Sequence, residues 1–213
     1  DNMTKFNHYS LTHNELTARA DEIARQQFST EEQKEMLGKI LGMIDLTTLE
    51  GSDTEDKISQ LCDYAGTLPK KHRVPCTVAA VCFYMPFIGA AKKFLEGTSV
   101  EVATVAGGFP SGQLPVHLKV QEVIWCAGQG ADEIDVVISR AMVLKNQPDD
   151  LLNEIKAMKA ACGKAKMKVI LETGELETVI NIRLACEIAI NSGADFLKTS
   201  TGKIKPAATP EAF

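Results

Sequence analysis

The chain has 213 residues, 45% hydrophobic and 24% charged, with a formal net charge of −5. That is the balance of an ordinary globular protein, long enough to bury one sizeable core. The acidic balance argues against a nucleic-acid or membrane partner, so an anionic ligand needs locally placed cations.

Residues Asp1 to Ser10 lack the basic-then-apolar order of a secretion leader, and no apolar run is long enough to span a bilayer. Two helices are predicted next. Thr12 and Glu15 stand in capping-box order before Leu16, Ala20, Ile23 and Ala24, and Ser29 with Glu32 repeats the device. This N-terminal helical extension, residues 1–41, is expected to pack on the domain that follows.

From there β-branched runs alternate with amphipathic helical patterns. Strands are predicted at Gly42–Thr48, Thr77–Tyr84, Val100–Ala106, Glu133–Ile138, Met167–Thr173 and Asp195–Ser200. The helices between them are expected at Asp53–Gly66, Pro86–Gly97, Pro115–Gln129, Asp149–Ala165 and Glu175–Asn191. Six βα units imply a parallel sheet, and both an open doubly wound sheet and a (β/α)8 TIM barrel fit the alternation. An internal echo favours the barrel. Gly130-Ala131-Asp132 introduces the fourth strand and Gly193-Ala194-Asp195 the sixth. A barrel interior draws its layers from alternate strands, so equivalent residues recur two units apart.

Thr209-Pro210-Glu211 then reads as the start of a sixth helix, only two residues before Phe213. About six of eight βα units are present, and the sequence reads as a barrel cut short.

Lys198 sits in the apolar run Asp195-Phe196-Leu197-Lys198-Thr199-Ser200. Two readings stand. One is a buried amine whose pKa is lowered toward that of a nucleophile, the other a lysine snorkelling from an edge strand. Asp135 lies three residues after Asp132 as Lys198 lies three after Asp195, so the two side chains should face the same side. An acid beside a lysine suits proton transfer in imine chemistry; a structural ion pair is the alternative. Lys168 either faces the same cavity or is a solvated lysine at its strand's start. Asp45, placed at the end of the first strand, either lines a barrel site or caps the next turn. Thr201-Gly202-Lys203 offers a glycine turn, a hydroxyl and a cation for a phosphate. Gly107-Gly108 marks close backbone approach to a ligand, or a tight turn. Cys82 and Tyr84 read as core. His72 and His117 have no ligand spacing, so no metal is assigned. The six cysteines form no CxxC pair and sit in apolar runs, which fits reduced thiols and a cytoplasmic protein.

At these residues the sequence resembles the deoxyribose-phosphate aldolase family. The segments that carry the resemblance, in order, are Ile44-Asp45-Leu46-Thr47-Thr48-Leu49, Ala79 to Tyr84, Ala103 to Pro110, Gly130 to Val137, Lys168 to Leu176 and the Lys198 segment. The resemblance implies a TIM barrel and a class I aldolase that needs no metal or cofactor and acts on a phosphorylated deoxysugar and acetaldehyde, with a homodimer as the expected assembly. By that resemblance Lys198 matches the Schiff-base lysine, Asp135 the acid working with it through a water, and Lys168 a lysine near the site. Asp45, Thr47 and Cys82 match the pocket, and Thr201, Gly202 and Lys203 the phosphate end. The family carries a further lysine on the seventh strand, thought to lower the nucleophile's pKa, and a glycine-serine turn on the eighth; neither segment occurs in this sequence. The rival readings are another Schiff-base sugar-phosphate aldolase or transaldolase, and a catalytically dead phosphosugar-binding fragment.

Overall fold

The computed structural model describes residues 11–213; the reading of Asp1–Ser10 as lacking a leader, and the start of the N-terminal extension, lie outside them. Helices α1 (His13–Ala24) and α2 (Thr30–Leu41) begin where their capping boxes set them. In each, the hydroxyl of Thr12 or Ser29 accepts the third backbone N–H at 3.3 Å, while Glu15 or Glu32 reaches back to the cap N–H at 2.7 or 2.8 Å. Neither helix contains a buried residue. Their start is decided locally, by caps.

The remaining chain builds strands β1 (Asp45–Thr47), β2 (Ala80–Tyr84), β3 (Glu101–Ala106), β4 (Glu133–Val137), β5 (Lys166–Ile170) and β6 (Phe196–Lys198). Helices α3 (Glu55–His72), α4 (Ile88–Phe94), α5 (Val116–Gly128), α6 (Arg140–Leu144), α7 (Pro148–Ala161) and α8 (Val179–Asn191) connect them. All five strand pairings are parallel and the spatial order is β1-β2-β3-β4-β5-β6. A doubly wound sheet reverses direction at a switch point; this one never does.

The sheet also curls. In a flat sheet β1 and β5 would lie about 19 Å apart, four spacings of ~4.8 Å. Yet the Lys168 ammonium on β5 donates directly to the Asp45 carboxylate on β1. Only a sheet rolled toward closure brings those side chains together, so the chain is a partial TIM barrel.

Strand alternation then separates two interiors. Val81, Phe83, Val102, Ile134, Val136, Met167 and Val169 point outward into the main core against the helices. On the inner face Ala80, Cys82, Ala103 and Val105 form a second, smaller cluster with Leu49. These small side chains leave room for charged neighbours on β4, β5 and β6.

The Gly-Ala-Asp echo has a structural basis. Asp132 accepts the Val102 N–H of β3 at 2.8 Å and pairs with Lys92 of α4 at 2.9 Å. Asp195 does the same two units later, accepting the Met167 N–H of β5 at 2.7 Å and pairing with Lys159 of α7 at 2.5 Å. Each aspartate pins the start of its strand to the strand before it.

Most strands and helices are shorter than expected at one end or both, and three departures have a clear physical cause. Helix α3 does not stop at Gly66 but runs to His72, through Pro69. A proline inside a helix leaves the carbonyl four residues back without its donor. Here that is Ala65 O, and the Thr77 hydroxyl supplies the missing bond at 2.5 Å. The buried Leu68 holds the extra turn against the core, and Arg73 ends it in a left-handed conformation. Helix α6 has only five residues, too few for periodicity to reveal. Strand β1 is three residues long, and Asp45 begins it rather than ending it. After Thr47 the chain leaves the sheet in a turn held by Asp53, which accepts the Thr48 hydroxyl and the Glu50 N–H at 2.9 and 3.0 Å.

Candidate active site

The inner face of the half-barrel carries a connected set of charges. Lys198 is the last residue of β6, and its ammonium lies 2.5 Å from Asp135 Oδ2 on β4. The equal offsets from Asp132 and Asp195 do put the two side chains on one side. Asp135 is fully buried, whereas the Lys198 side chain is 33% exposed. The second carboxylate oxygen of Asp135 accepts no hydrogen bond from any described residue. The Lys168 ammonium lies 3.7 Å from that oxygen.

Lys168 is not a solvated lysine. It is 6% exposed, in the middle of β5, and collects three carboxylates: Asp45, Glu133 at 2.5 Å, and Asp135. Burial alone would lower its pKa, but the charges of Asp135, Asp45 and Glu133 outweigh burial and lift it above the ordinary lysine value. Glu133 sits above the usual carboxylate range because burial overcomes the pull of Lys168. Toward the amino ends of the strands, Lys166 continues the alternation, 3.5 Å from Glu133 and 2.9 Å from Glu101.

Burial pushes the Lys198 amine down, as expected for a nucleophile, but the charge and hydrogen bond of Asp135 outweigh it. The net shift is upward. The expectation of a depressed pKa is therefore corrected: among the described residues the opposing cation, Lys168, lowers it by less than Asp135 raises it. Cys82 lies fully buried in the same interior, its thiol pushed up to about 12 by burial and then by Asp135. Such a thiol is inert packing rather than a nucleophile.

At the carboxyl ends of the strands a cavity of ≈ 350 Å³ is lined by Thr47, Leu49, Phe109, Lys198, Thr201 and Gly202, among others. A larger one of ≈ 550 Å³ opens at the opposite end, between the edge strands, lined by Asp45, Glu133, Lys166 and Lys168. Lys198 borders both. The smaller cavity is the better candidate for a ligand, since it alone joins the amine to the glycine turn and loop hydroxyls, and barrel sites gather at that end.

The structure thus brings together Lys198, Asp135, Lys168, Asp45 and Cys82 on the inner face, and Thr47, Thr201 and Gly202 around the cavity. Thr47 is exposed, its hydroxyl donating to Asp45 O at 2.9 Å. Lys203 stands apart from the cavity lining, its ammonium 3.0 Å from Glu50. Gly107 and Gly108 serve backbone packing: both have positive φ, and a Cβ on Gly107 would meet Val137 N at 2.9 Å. Among the described residues no three of His, Cys, Asp and Glu come together to hold a metal ion.

Sequence reasoning missed Glu133, Glu172, Arg140 and the buried Lys119–Glu154 pair at 3.1 Å. For Glu133 the signal was present, because two residues before Asp135 is the same strand face.

Residues 39–212 match the family model described as DeoC/LacD family aldolase. The chain belongs to the DeoC/LacD aldolase family. Deoxyribose-phosphate aldolase of Homo sapiens is 42% identical to this family member over 205 residues, covering 91% of this chain and 64% of that protein. The Mus musculus enzyme of the same name is 40% identical, with the same coverage. The chain spans just under two thirds of the length of these curated relatives. A solved structure from Coccidioides immitis aligns with a TM-score of 0.76 at 29% identity, covering 95% of this chain and 78% of that one. The structure described as the unique tetrameric deoxyribose phosphate aldolase of Aeropyrum pernix aligns at 0.63 with 27% identity, over 83% of this chain and 73% of that one.

Proposed function

We propose that this protein is a deoxyribose-phosphate aldolase, a lyase that reversibly splits 2-deoxy-D-ribose 5-phosphate into D-glyceraldehyde 3-phosphate and acetaldehyde through a Schiff base on Lys198. The observation that carries the reading is the Lys198–Asp135 pair, an amine and a fully buried acid 2.5 Å apart inside an aldolase-family barrel.

On this reading the Lys198 amine gives up its proton, adds to the C1 aldehyde of the open-chain sugar, and water leaves to form a protonated imine. Asp135, paired with the Lys198 amine at 2.5 Å, takes the proton from the C3 hydroxyl, directly or through water. The electron pair of the C2–C3 bond moves into the C1–C2 bond as the iminium nitrogen accepts the displaced pair. That releases glyceraldehyde 3-phosphate and leaves an enamine. Protonation at C2 and hydrolysis then free acetaldehyde and restore Lys198. The imine is the electron sink.

Lys168 lies against Asp45, Glu133 and Asp135 and balances part of their charge. Asp45 and Cys82 shape the interior. Thr47, Thr201, Gly202 and Lys203 form the end that receives the sugar hydroxyls and phosphate. The same reading makes the protein a cytoplasmic homodimer in deoxyribonucleotide breakdown; six free cysteines, four of them buried, support a reducing compartment.

Incubation with acetaldehyde, borohydride reduction and peptide mass mapping test the proposal. A reduced two-carbon adduct on Lys198, with acetaldehyde as product from the deoxypentose phosphate, is the expected outcome. No adduct on the full-length protein would remove the Schiff-base reading, while an adduct without deoxypentose phosphate cleavage would point to a different sugar-phosphate aldolase.

A further inference from the structure

Glu172 is a buried acid that the chemistry above does not use. It follows β5, is 0% exposed, and holds a left-handed backbone with φ 54° and ψ 60°. A non-glycine residue there is strained and persists only where its surroundings demand it.

The surroundings are specific. The Thr201 hydroxyl and the Thr201 N–H, the latter at 3.2 Å, both donate to the Glu172 carboxylate. That same hydroxyl accepts the Lys203 N–H at 3.1 Å. The Thr201 hydroxyl is therefore committed inside the protein, donating one way and accepting the other. On the far side, buried Arg140 pairs with Glu172 at 3.3 Å and donates to Pro110 O and Ser111 O at 3.0 and 2.5 Å.

One carboxylate thus anchors the Thr201–Lys203 turn, and its partner arginine anchors the loop that carries Phe109. Both Phe109 and the turn line the ≈ 350 Å³ cavity shared with Lys198. The turn begins three residues after Lys198, at most about 10 Å of chain. A short sugar phosphate with its aldehyde on Lys198 would present its other end there.

We infer that Glu172 is a positioning residue: through Thr201 it fixes the Thr201–Lys203 turn for the phosphoryl group, and so sets the preference for a phosphorylated sugar without entering the imine chemistry. The inference rests on the aldolase reading above.

The test compares the full-length protein with Glu172→Gln, using 2-deoxyribose 5-phosphate, unphosphorylated 2-deoxyribose, and acetaldehyde with borohydride. Loss of one charge-assisted bond is worth roughly a factor of ten or more. E172Q should raise KM for the phosphosugar by about that factor with little change in kcat. Its kcat/KM for the unphosphorylated sugar and its Lys198 trapping should stay within about twofold of the parent, a split that a general loosening of the fold would not produce. Equal losses with both sugars, or an unchanged phosphosugar KM, overturn the inference. Should E172Q not unfold cooperatively, Glu172→Asp keeps the charge toward Arg140 but shortens the reach to Thr201 and probes the same contact. A selective rise in phosphosugar KM there supports the inference, and an unchanged KM overturns it. A parent protein that traps no aldehyde removes the aldolase reading and this inference with it; an active parent with an indifferent variant removes only the inference.

Discussion

Replacing Asp135 by Asn should separate two effects that one carboxylate exerts on Lys198. The oxygen removed lies 2.5 Å from the ammonium. At an effective dielectric of 20, unit charges at that distance attract by about 7 kcal/mol, an upper bound because Lys198 is partly solvated. The working range for a carboxylate beside a cation is about 1–3 pK units. Lys168, a like charge on the same side, pushes in the same direction. The Lys198 pKa should therefore fall by about 1–3 units in the variant. The assay is the pH dependence of the rate at which acetaldehyde is trapped on Lys198, read by mass. Its midpoint should move to lower pH by that amount, so that at neutral pH the variant captures aldehyde faster. Cleavage of deoxyribose 5-phosphate should meanwhile drop by roughly 10²–10⁴, because the group that takes the hydroxyl proton is gone. A midpoint that stays or rises would refute the electrostatic reasoning. Cleavage that survives would refute the proton-transfer role.

Three further outcomes follow from the fold. Lys168→Met leaves Asp45, Glu133 and Asp135 without their shared cation, and should cost about 3–5 kcal/mol in denaturant unfolding at neutral pH. Because the folded-state pKa of Lys168 is raised, that contribution is fully present below pH 10.5 and is lost as pH climbs above it, so parent and variant should converge in alkali. Asp132→Ala and Asp195→Ala each remove an acceptor for a strand N–H and a lysine partner, and should cost similar amounts, about 1–3 kcal/mol each by urea midpoint. Widely different values would mean the two are not equivalent. Gly97→Ala and Gly107→Ala both force alanine to positive φ, at about 1–2 kcal/mol. Only Gly107 also meets backbone, at 2.9 Å against nothing within 4 Å at Gly97, so its variant should have the lower urea midpoint.

What the sequence made legible was whatever repeats or alternates. Six βα units, the capping boxes and the Gly-Ala-Asp echo each follow from short-range rules, and the echo located the Lys198–Asp135 pair because its aspartates pin successive strands in register. What it left illegible depends on contacts far apart in the chain. Lys168 is 123 residues from Asp45, and no periodicity announces that their strands face each other across a curled sheet. Helix α3 outran its expected stop because the donor that rescues Ala65 O from Pro69 is Thr77, beyond the helix. Glu172 and Arg140 stand 32 residues apart, one in the loop after β5 and the other opening a five-residue helix, where pattern carries little information.

The sign of the Lys198 shift bears on how such a site works. Along the described inner face, Asp45, Glu101, Glu133 and Asp135 oppose Lys166, Lys168 and Lys198, four carboxylates against three lysines. With every group ionised the set carries one net negative charge, and a neutral Lys198 amine would make it two. The field therefore resists the deprotonation that precedes attack. On the proposed reaction, however, the iminium formed by attack is again a cation at the same nitrogen, and the same carboxylates favour it. A site with this charge balance holds back the free amine and stabilises the electron sink. An added cation near Lys198 would ease the first step at the expense of the second, whereas loss of Asp135 would do the same and remove the proton acceptor as well. The balance, rather than a low lysine pKa alone, is what the arrangement of β4, β5 and β6 sets.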